Sequence, residues 1–299
     1  MEDIYVIGHK SPDTDSVVSA IVYAGIKGYK PAISGKINAE TDFILSKLEV
    51  SVPEIMTSAE GKKLVLVDHN EPSQRVDEKG EVIEIIDHHK ASMSFSSPIP
   101  IRIEPLGATS TLIAKMYPNE VKGNPIWAGL LLSGIISDTI IFKSPTTTQE
   151  DRDVAANLSA ACGISDMISY GIEMKKANSA IAGREINDVL QTDMKEFDMS
   201  GRKVSISAAE VVDMSEVEAR KAEILSCLNE LKNEGREAAL FAVADIINEK
   251  SLIYFAADKD IMEKAFGVQA EDGNTLRFAS VISRKKQVVP PLEEAFKSL

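Results

Sequence analysis

The feature of this chain that most limits its fold is the way its early apolar runs begin and end. Short stretches rich in β-branched residues occupy 4–8, 31–34, 64–68, 82–87 and 101–104. Stretches of helical period lie between and after them, at 15–27, 39–48, 108–117, 127–137 and 149–161. Such alternation predicts a largely parallel sheet with helices on both faces, a doubly wound α/β unit, because parallel neighbours need a crossover between them. Three of the runs give way to a histidine with aspartate beside it: Gly8-His9 with Asp13 and Asp15 close behind, Asp68-His69, and Asp87-His88-His89. These are all four histidines of the chain. The carboxyl ends of strands in an open parallel sheet line one rim, so the imidazoles are expected together there.

The residue types at that rim point to metal chemistry. In Gly8-His9-Lys10-Ser11-Pro12-Asp13-Thr14-Asp15, glycine and proline set a tight path that lets His9, Asp13 and Asp15 converge. Taken singly, Asp15 would read as a helix N-cap and Asp13 as a turn former; beside His9 both read better as ligands. An acid at the tip of a buried strand, as at Asp68, is costly unless paired or metal-bound. Asp138, in Ser137-Asp138-Thr139, ends an apolar helical stretch and alone would be a helix terminator. Adjacent residues at a strand end point in opposite directions, so only one of His88 and His89 is expected to ligate a metal pair directly. Oxygen and nitrogen donors without thiolate suit Mn²⁺, Co²⁺, Fe²⁺ or Mg²⁺ better than structural zinc. Two such metals about 3.5–4 Å apart can share a hydroxide and clamp both sides of an in-line displacement, which favours phosphoryl transfer.

With 299 residues, two domains are expected. After residue 164 the pattern changes: a helix and hinge over 174–187 with Gly183, a strand at 204–207, a charged helix at 214–233, and strands at 239–247, 252–257 and 278–283. Residues 1–185 are therefore read as the metal-binding domain and 191–299 as a smaller α/β domain with a mixed sheet, joined by a linker at 186–190. The last strand runs into Arg284-Lys285-Lys286. Such a triplet protects an edge strand in many proteins, but arginine also offers phosphate a bidentate fork and lysine a point charge. The balance of 33 basic to 46 acidic residues, net −13, argues against broad nucleic-acid binding. No apolar run approaches a membrane span and no leader-like segment opens the chain, so a cytoplasmic location away from membranes is expected. Cys162 and Cys227 read as reduced thiols. No phosphate-binding Walker loop is visible.

Together, Gly-His-x-x-Pro-Asp-x-Asp at 8–15, Asp-His-Asn at 68–70, Asp-His-His at 87–89 and Ser-Asp-Thr at 137–139 resemble the DHH phosphoesterase superfamily in its family II inorganic pyrophosphatase form. Ser283-Arg284-Lys285-Lys286 resembles that family's C-terminal signature, and Asp193-Met194-Lys195-Glu196-Phe197 its second-domain lysine motif. The resemblance implies that His9, Asp13, Asp68 and Asp138 hold one metal. Asp15, Asp68, His88 and Asp138 would hold the other, with Asp68 and Asp138 bridging. It implies that His89, Lys195, Arg284 and Lys285 bind the substrate and take part in catalysis. It further implies two Mn²⁺ per subunit, which Co²⁺ or Mg²⁺ can replace, additional Mg²⁺ arriving with pyrophosphate, and a homodimer formed by the N-terminal domains. Ser11 departs from the motif, where asparagine is expected. A short-chain polyphosphatase is the nearest alternative. A DHH-type phosphodiesterase or oligoribonuclease is further off, because the Gly-Gly-Gly-His motif of those enzymes is absent here.

Overall fold

The computed structural model describes residues 3–177, 181, 183–280, 282 and 284–297. The chain forms two compact units, Met1–Asn178 and Ser179–Leu299. In the first, β1 (Ile4–Ile7), β2 (Lys30–Ile33), β3 (Glu54–Ile55), β4 (Lys63–Val67), β5 (Glu81–Asp87) and β6 (Ile101–Ile103) pair in the order β3-β2-β1-β4-β5-β6. Every pair is parallel. The chain winds outward from β1 through α1 (Thr14–Lys27) and α2 (Ala39–Lys47), then returns to β4 and winds the other way. Helices α3 (Thr109–Met116), α4 (Pro118–Lys122), α5 (Pro125–Asp138), α6 (Gln149–Cys162) and α7 (Met167–Ala177) complete the unit.

Successive strand residues face opposite sides, and both sides are apolar, as a sheet covered on two faces requires. Ile7, Leu64, Leu66 and Ile85 cluster on one side with Val76, Met93, Phe95 and Ile99. Those four come from the β4–β5 and β5–β6 connections, which hold one 3₁₀ turn, Pro72–Gln74, and no α-helix among the described residues. The alternate residues Val6, Val65, Val67 and Ile86 are wholly buried too, each worth roughly 1.5–3 kcal/mol relative to exposure. Helix α5 is apolar almost all round and so must be enclosed; it packs against α1, α3 and α6.

The second unit carries α8 (Ile186–Thr192), β7 (Met194–Met199), β8 (Arg202–Val211), α9 (Ser215–Glu218), α10 (Lys221–Asn233), β9 (Ala238–Asp245), β10 (Lys250–Ala256), α11 (Lys259–Phe266), β11 (Thr275–Phe278) and α12 (Val289–Lys297). Its sheet runs β11-β10-β9-β8-β7, with β8 and β9 parallel and the other pairs antiparallel. The two-unit α/β plan with one parallel and one mixed sheet is thus the architecture found. At the β7–β8 hairpin, Ser200 and Gly201 have φ of 57° and 79°, the paired left-handed conformations of a tight two-residue turn, which glycine eases.

Two local expectations give way, the linker and the last strand. Residues 186–190, expected as a linker, belong to α8, whose Ile186, Val189 and Leu190 are buried in the second unit's core. Three apolar residues in one short amphipathic turn are enough to dock it. Of the expected hinge, 178–180 and 182 lie outside the described residues, and Gly183 has φ 68°. The strand expected at 278–283 ends at Phe278, and Arg284-Lys285-Lys286 instead opens a π-helical segment, Arg284–Val288, that runs into α12. Val288, Leu292 and Phe296, four apart, are buried in the core, so the period there is helical and the triplet guards no strand tip. Ser283 lies outside the described residues. Finally, β7 goes unrecognised in sequence because Met-Lys-Glu-Phe-Asp-Met lacks β-branched residues; as an edge strand it is held by pairing with β8.

Candidate metal centre

β1 and β4 are neighbours from which the chain departs in opposite directions. That reversal opens a crevice at the carboxyl ends of the strands, where ligands bind in sheets of this kind. The loop after β1 brings His9 and Asp13, and the first turn of α1 brings Asp15; Asp68 directly follows β4, His88 and His89 follow β5, and the last turn of α5 brings Asp138. Gly8 permits the first loop, because a Cβ there would stand 1.8 Å from Ser16 Oγ. Ser34 Oγ pins the loop by donating to the His9 carbonyl at 2.7 Å.

Asp13, not Asp15, caps α1, accepting from the Ser16 amide at 3.0 Å. Asp15 is buried and reaches across to α3, accepting from the Thr109 and Ser110 amides at 2.7 and 3.0 Å. The N-cap residue of α3 itself is Ala108, which has no side-chain acceptor. A carboxylate from 94 positions away supplies what the helix N-terminus lacks. Gly134 makes the space: a Cβ there would lie 2.7 Å from Asp15 Oδ1 and 2.1 Å from Ser110 Oγ.

Asp68 takes the left-handed conformation, φ 63°, which aspartate adopts more readily than bulkier residues. Its Oδ1 accepts from Thr109 Oγ1 at 3.0 Å. Asp87, buried and not foreseen as a site residue, gathers the next turn. Its Oδ1 accepts from the His88 and His89 amides at 2.7 and 3.0 Å and faces His89 Nδ1 at 2.9 Å. Its Oδ2 accepts from Asn70 Nδ2 at 2.5 Å. His88 Nδ1 donates to the Leu106 carbonyl at 2.9 Å, which leaves Nε2 to face the crevice, the usual arrangement behind a metal-binding imidazole.

Three groups of donor atoms result, each within 4.8 Å: His9, Asp13 and Asp68; Asp15, Asp68, His88 and Asp138; and Asp68, His88 and His89. Asp68 belongs to all three. Asp138, expected in both metal sets, stands with Asp15 and His88 and not in the His9 group. His69 belongs to none: its Nδ1 faces the Val67 carbonyl at 2.9 Å, and burial pushes its pKa down. The mouth is an open cleft of about 370 Å³ lined by His9, Asp13, Asp68, His69 and His89 among others.

The electrostatics are those of an anion cluster short of cations. Burial acts against a charged His9 and His88, yet the close carboxylates of Asp13 and Asp68 hold His9 up to about 10. Asp138 and Asp68 likewise hold His88 up to about 12. Burial, aided by Asp68 and Asp138, raises Asp15 well above the carboxylate range, and burial raises Asp138 to about 6. Asp68 overcomes its burial through His88 and His9 and stays low. Nonetheless His9 Nε2 and His88 Nε2 remain 3.4 and 3.3 Å from Asp68. Asp68 Oδ2 and His88 Nε2, both buried, have no hydrogen-bond partner among the described residues. Buried polar atoms are rarely left so, and oxygen and nitrogen donors converging in this way fit divalent metal ions. Asp138 also sits at the C-terminal end of α5, where the helix dipole opposes a carboxylate. Beyond it Ile140, Ile141 and Phe142 have φ of 50°, 53° and 63°, a left-handed turn that costs roughly 1–2 kcal/mol per residue.

In the second unit, Lys195 is exposed on β7 and Lys285 is exposed on the π-helical segment. The Arg284 guanidinium pairs with Asp193 Oδ1 at 2.8 Å and donates to the Asp193 and Ile206 carbonyls at 2.5 and 3.2 Å. Ile206 is the register partner of Lys195, so Arg284 lies against the strand pair that carries Lys195.

A parallel sheet with a carboxylate–imidazole cluster at its switch point, followed by a mixed-sheet unit, defines a DHH-type two-domain protein. The DHH family, N-terminal domain, matches residues 3–135, and the DHHA2 domain matches residues 172–295. The manganese-dependent inorganic pyrophosphatase of Methanocaldococcus jannaschii is 46% identical over 98% of this chain and 99% of its own. That of Methanothrix thermoacetophila is 43% identical over 99% of each. The crystal structure of the candidate family II inorganic pyrophosphatase of Methanococcus jannaschii covers 98% of this chain and 99% of its own at 44% identity, with a TM-score of 0.62. The chain belongs to the manganese-dependent inorganic pyrophosphatase family.

Proposed function

We propose that this protein hydrolyses inorganic pyrophosphate to two phosphates at a manganese centre in its first unit. The observation that carries the reading is Asp68, a single buried carboxylate shared by the His9–Asp13 group and the Asp15–His88–Asp138 group, in a chain 46% identical to a named manganese-dependent inorganic pyrophosphatase. Bound manganese would supply Lewis acidity and lower the pKa of the attacking water, with Asp68 serving both donor groups. His9 and Asp13 would hold one position, Asp15 and His88 the other, and Asp138 would serve the second at least.

His89, about half exposed and oriented by Asp87, faces the cleft and carries a proton for the leaving phosphate; the Asp87 hydrogen bond raises its pKa against burial. Lys195, Arg284 and Lys285 bind phosphate oxygens from the second unit, with Mg²⁺ accompanying the substrate. Charge neutralisation of this kind is the main lever on phosphoryl transfer. The family resemblance supports a homodimer acting in the cytoplasm, and no described helix is long and apolar enough to cross a membrane. Phosphate release from pyrophosphate, tripolyphosphate, ATP and a short RNA, each with Mn²⁺ or Mg²⁺, tests the assignment. Pyrophosphate should be preferred by a wide margin; comparable turnover of tripolyphosphate would favour a short-chain polyphosphatase, and of RNA a phosphodiesterase.

A further inference from the structure

Beside the metal centre lies a carboxylate that the chemistry above does not use. Glu40, in the first turn of α2, is only 3% exposed, and a buried acid is costly unless its oxygens are served. Oε1 accepts from Thr14 Oγ1 at 2.9 Å and also from Ser137 Oγ. Oε2 pairs with Lys175 Nζ at 2.9 Å, and the same ammonium donates to Ser137 Oγ at 3.2 Å. With the Thr14 proton committed to Glu40, the 3.1 Å contact between Thr14 and Thr41 is the Thr41 hydroxyl donating. The network therefore joins α1, α2, α5 and α7. Thr14 stands between Asp13 and Asp15, and Ser137 immediately precedes Asp138. One carboxylate thus grips the backbone neighbours of three aspartates that belong to the metal groups.

We propose that Glu40 is a positioning residue of the metal centre, fixing the Asp13–Asp15 loop against the end of α5, with Lys175 as its counter-charge. The proposal rests on the metal reading given above. The Glu40 contacts thus hold together the two segments that bring Asp15 and Asp138 into one donor group. A purely stabilising role would be served as well by an apolar pair of similar volume. The charged version adds a directional hold on two specific hydroxyls.

The test uses full-length protein stripped with a chelator, titrated with Mn²⁺ by calorimetry, alongside thermal unfolding of the metal-free forms. Glu40→Ala should weaken Mn²⁺ binding about 10–100-fold, the usual range for an outer residue that orients ligands. Ser137→Ala should weaken it less, and the double variant should lose no more than Glu40→Ala alone, because both act through one contact. Should Glu40→Ala not fold, Glu40→Gln keeps the shape and one acceptor oxygen but sets an amide against Lys175, and its affinity should fall also. Mn²⁺ affinity within about twofold of the parent, together with a lowered Tm, would make Glu40 a scaffold residue and overturn the proposal. A parent protein that takes up no Mn²⁺ would instead refute the metal reading, and the proposal with it.

Discussion

The two units hold their functional side chains in opposite ways. In the first, three acids of the crevice are fixed by further partners: Asp15 by two amides of α3, Asp68 by Thr109, and Asp87 by two amides and Asn70. In the second, Lys195 and Lys285 stand exposed, and Arg284 is anchored on an acid and two carbonyls. On the proposed division of metal and phosphate between the units, the difference follows from what each would bind. A metal centre gathers anions that repel one another and works only with ligands at set distances, so the protein must hold them before the cation comes. Phosphate oxygens present a diffuse charge that long cationic side chains can follow, so exposed lysines suffice. The first unit should therefore fail at single atoms and the second degrade gradually.

The largest expected effect is at the shared acid. Asp68→Ala should remove nearly all bound manganese and lower kcat by on the order of a thousandfold or more, about 4 kcal/mol or more of barrier; full metal occupancy measured by elemental analysis would refute the sharing. Arg284→Ala and Lys285→Ala should retain parental Mn²⁺ stoichiometry while losing roughly a hundredfold in rate. Normal kcat and KM in Arg284→Ala would show that the second unit does not grip substrate. Gly134→Ala changes no ligand, yet its Cβ would press on Asp15 and Ser110; Mn²⁺ affinity should drop about tenfold as the core shifts. Unchanged affinity there would mean that Asp15 has more freedom than its two amide bonds imply.

The smallest effect is in protons. Metal-free, His9 and His88 stay protonated at neutral pH, with pKa values of about 10 and about 12, so Mn²⁺ uptake must release protons and weaken as pH falls. Calorimetry in buffers of different ionisation heat should detect the release; none at pH 7 would contradict it. Since both folded pKa values are raised, their contribution to metal-free stability is complete below the unfolded value of 6.5 and is lost as pH rises through the folded ones. The metal-free protein should therefore lose Tm between pH 7 and 10.

The crevice was legible wherever its chemistry is written next to a strand end. His9, Asp13, Asp68, His88 and His89 follow apolar runs, and the rule for open parallel sheets gathers them without further information. Asp15 was legible as a candidate but not in its tie to α3, whose only trace is the missing cap at Ala108. Glu40 gave no signal: an acid in the first turn of an amphipathic helix reads as a dipole partner facing water, and only Thr14, Ser137 and Lys175, distant in sequence, keep it inside. The end of the chain was misread because a few apolar residues before a basic triplet fit either period. What decides between them is the core that Val288, Leu292 and Phe296 enter, and a core is a property of the assembled unit.

The strand order also fixes when the centre can come into being during synthesis. The central strand β1 is made first, but its partner β4 emerges only after β2 and β3 are complete, and Asp138 lies far behind both. Contacts so distant along the chain form slowly and late. A nascent chain whose β4 settled one residue out of register would turn Leu64 and Leu66 to the wrong face and carry Asp68 away from the crevice. Such a chain offers manganese no complete ligand set. A ligand that binds only the complete set favours the correctly wound chain by mass action, so raising Mn²⁺ during refolding should enrich it.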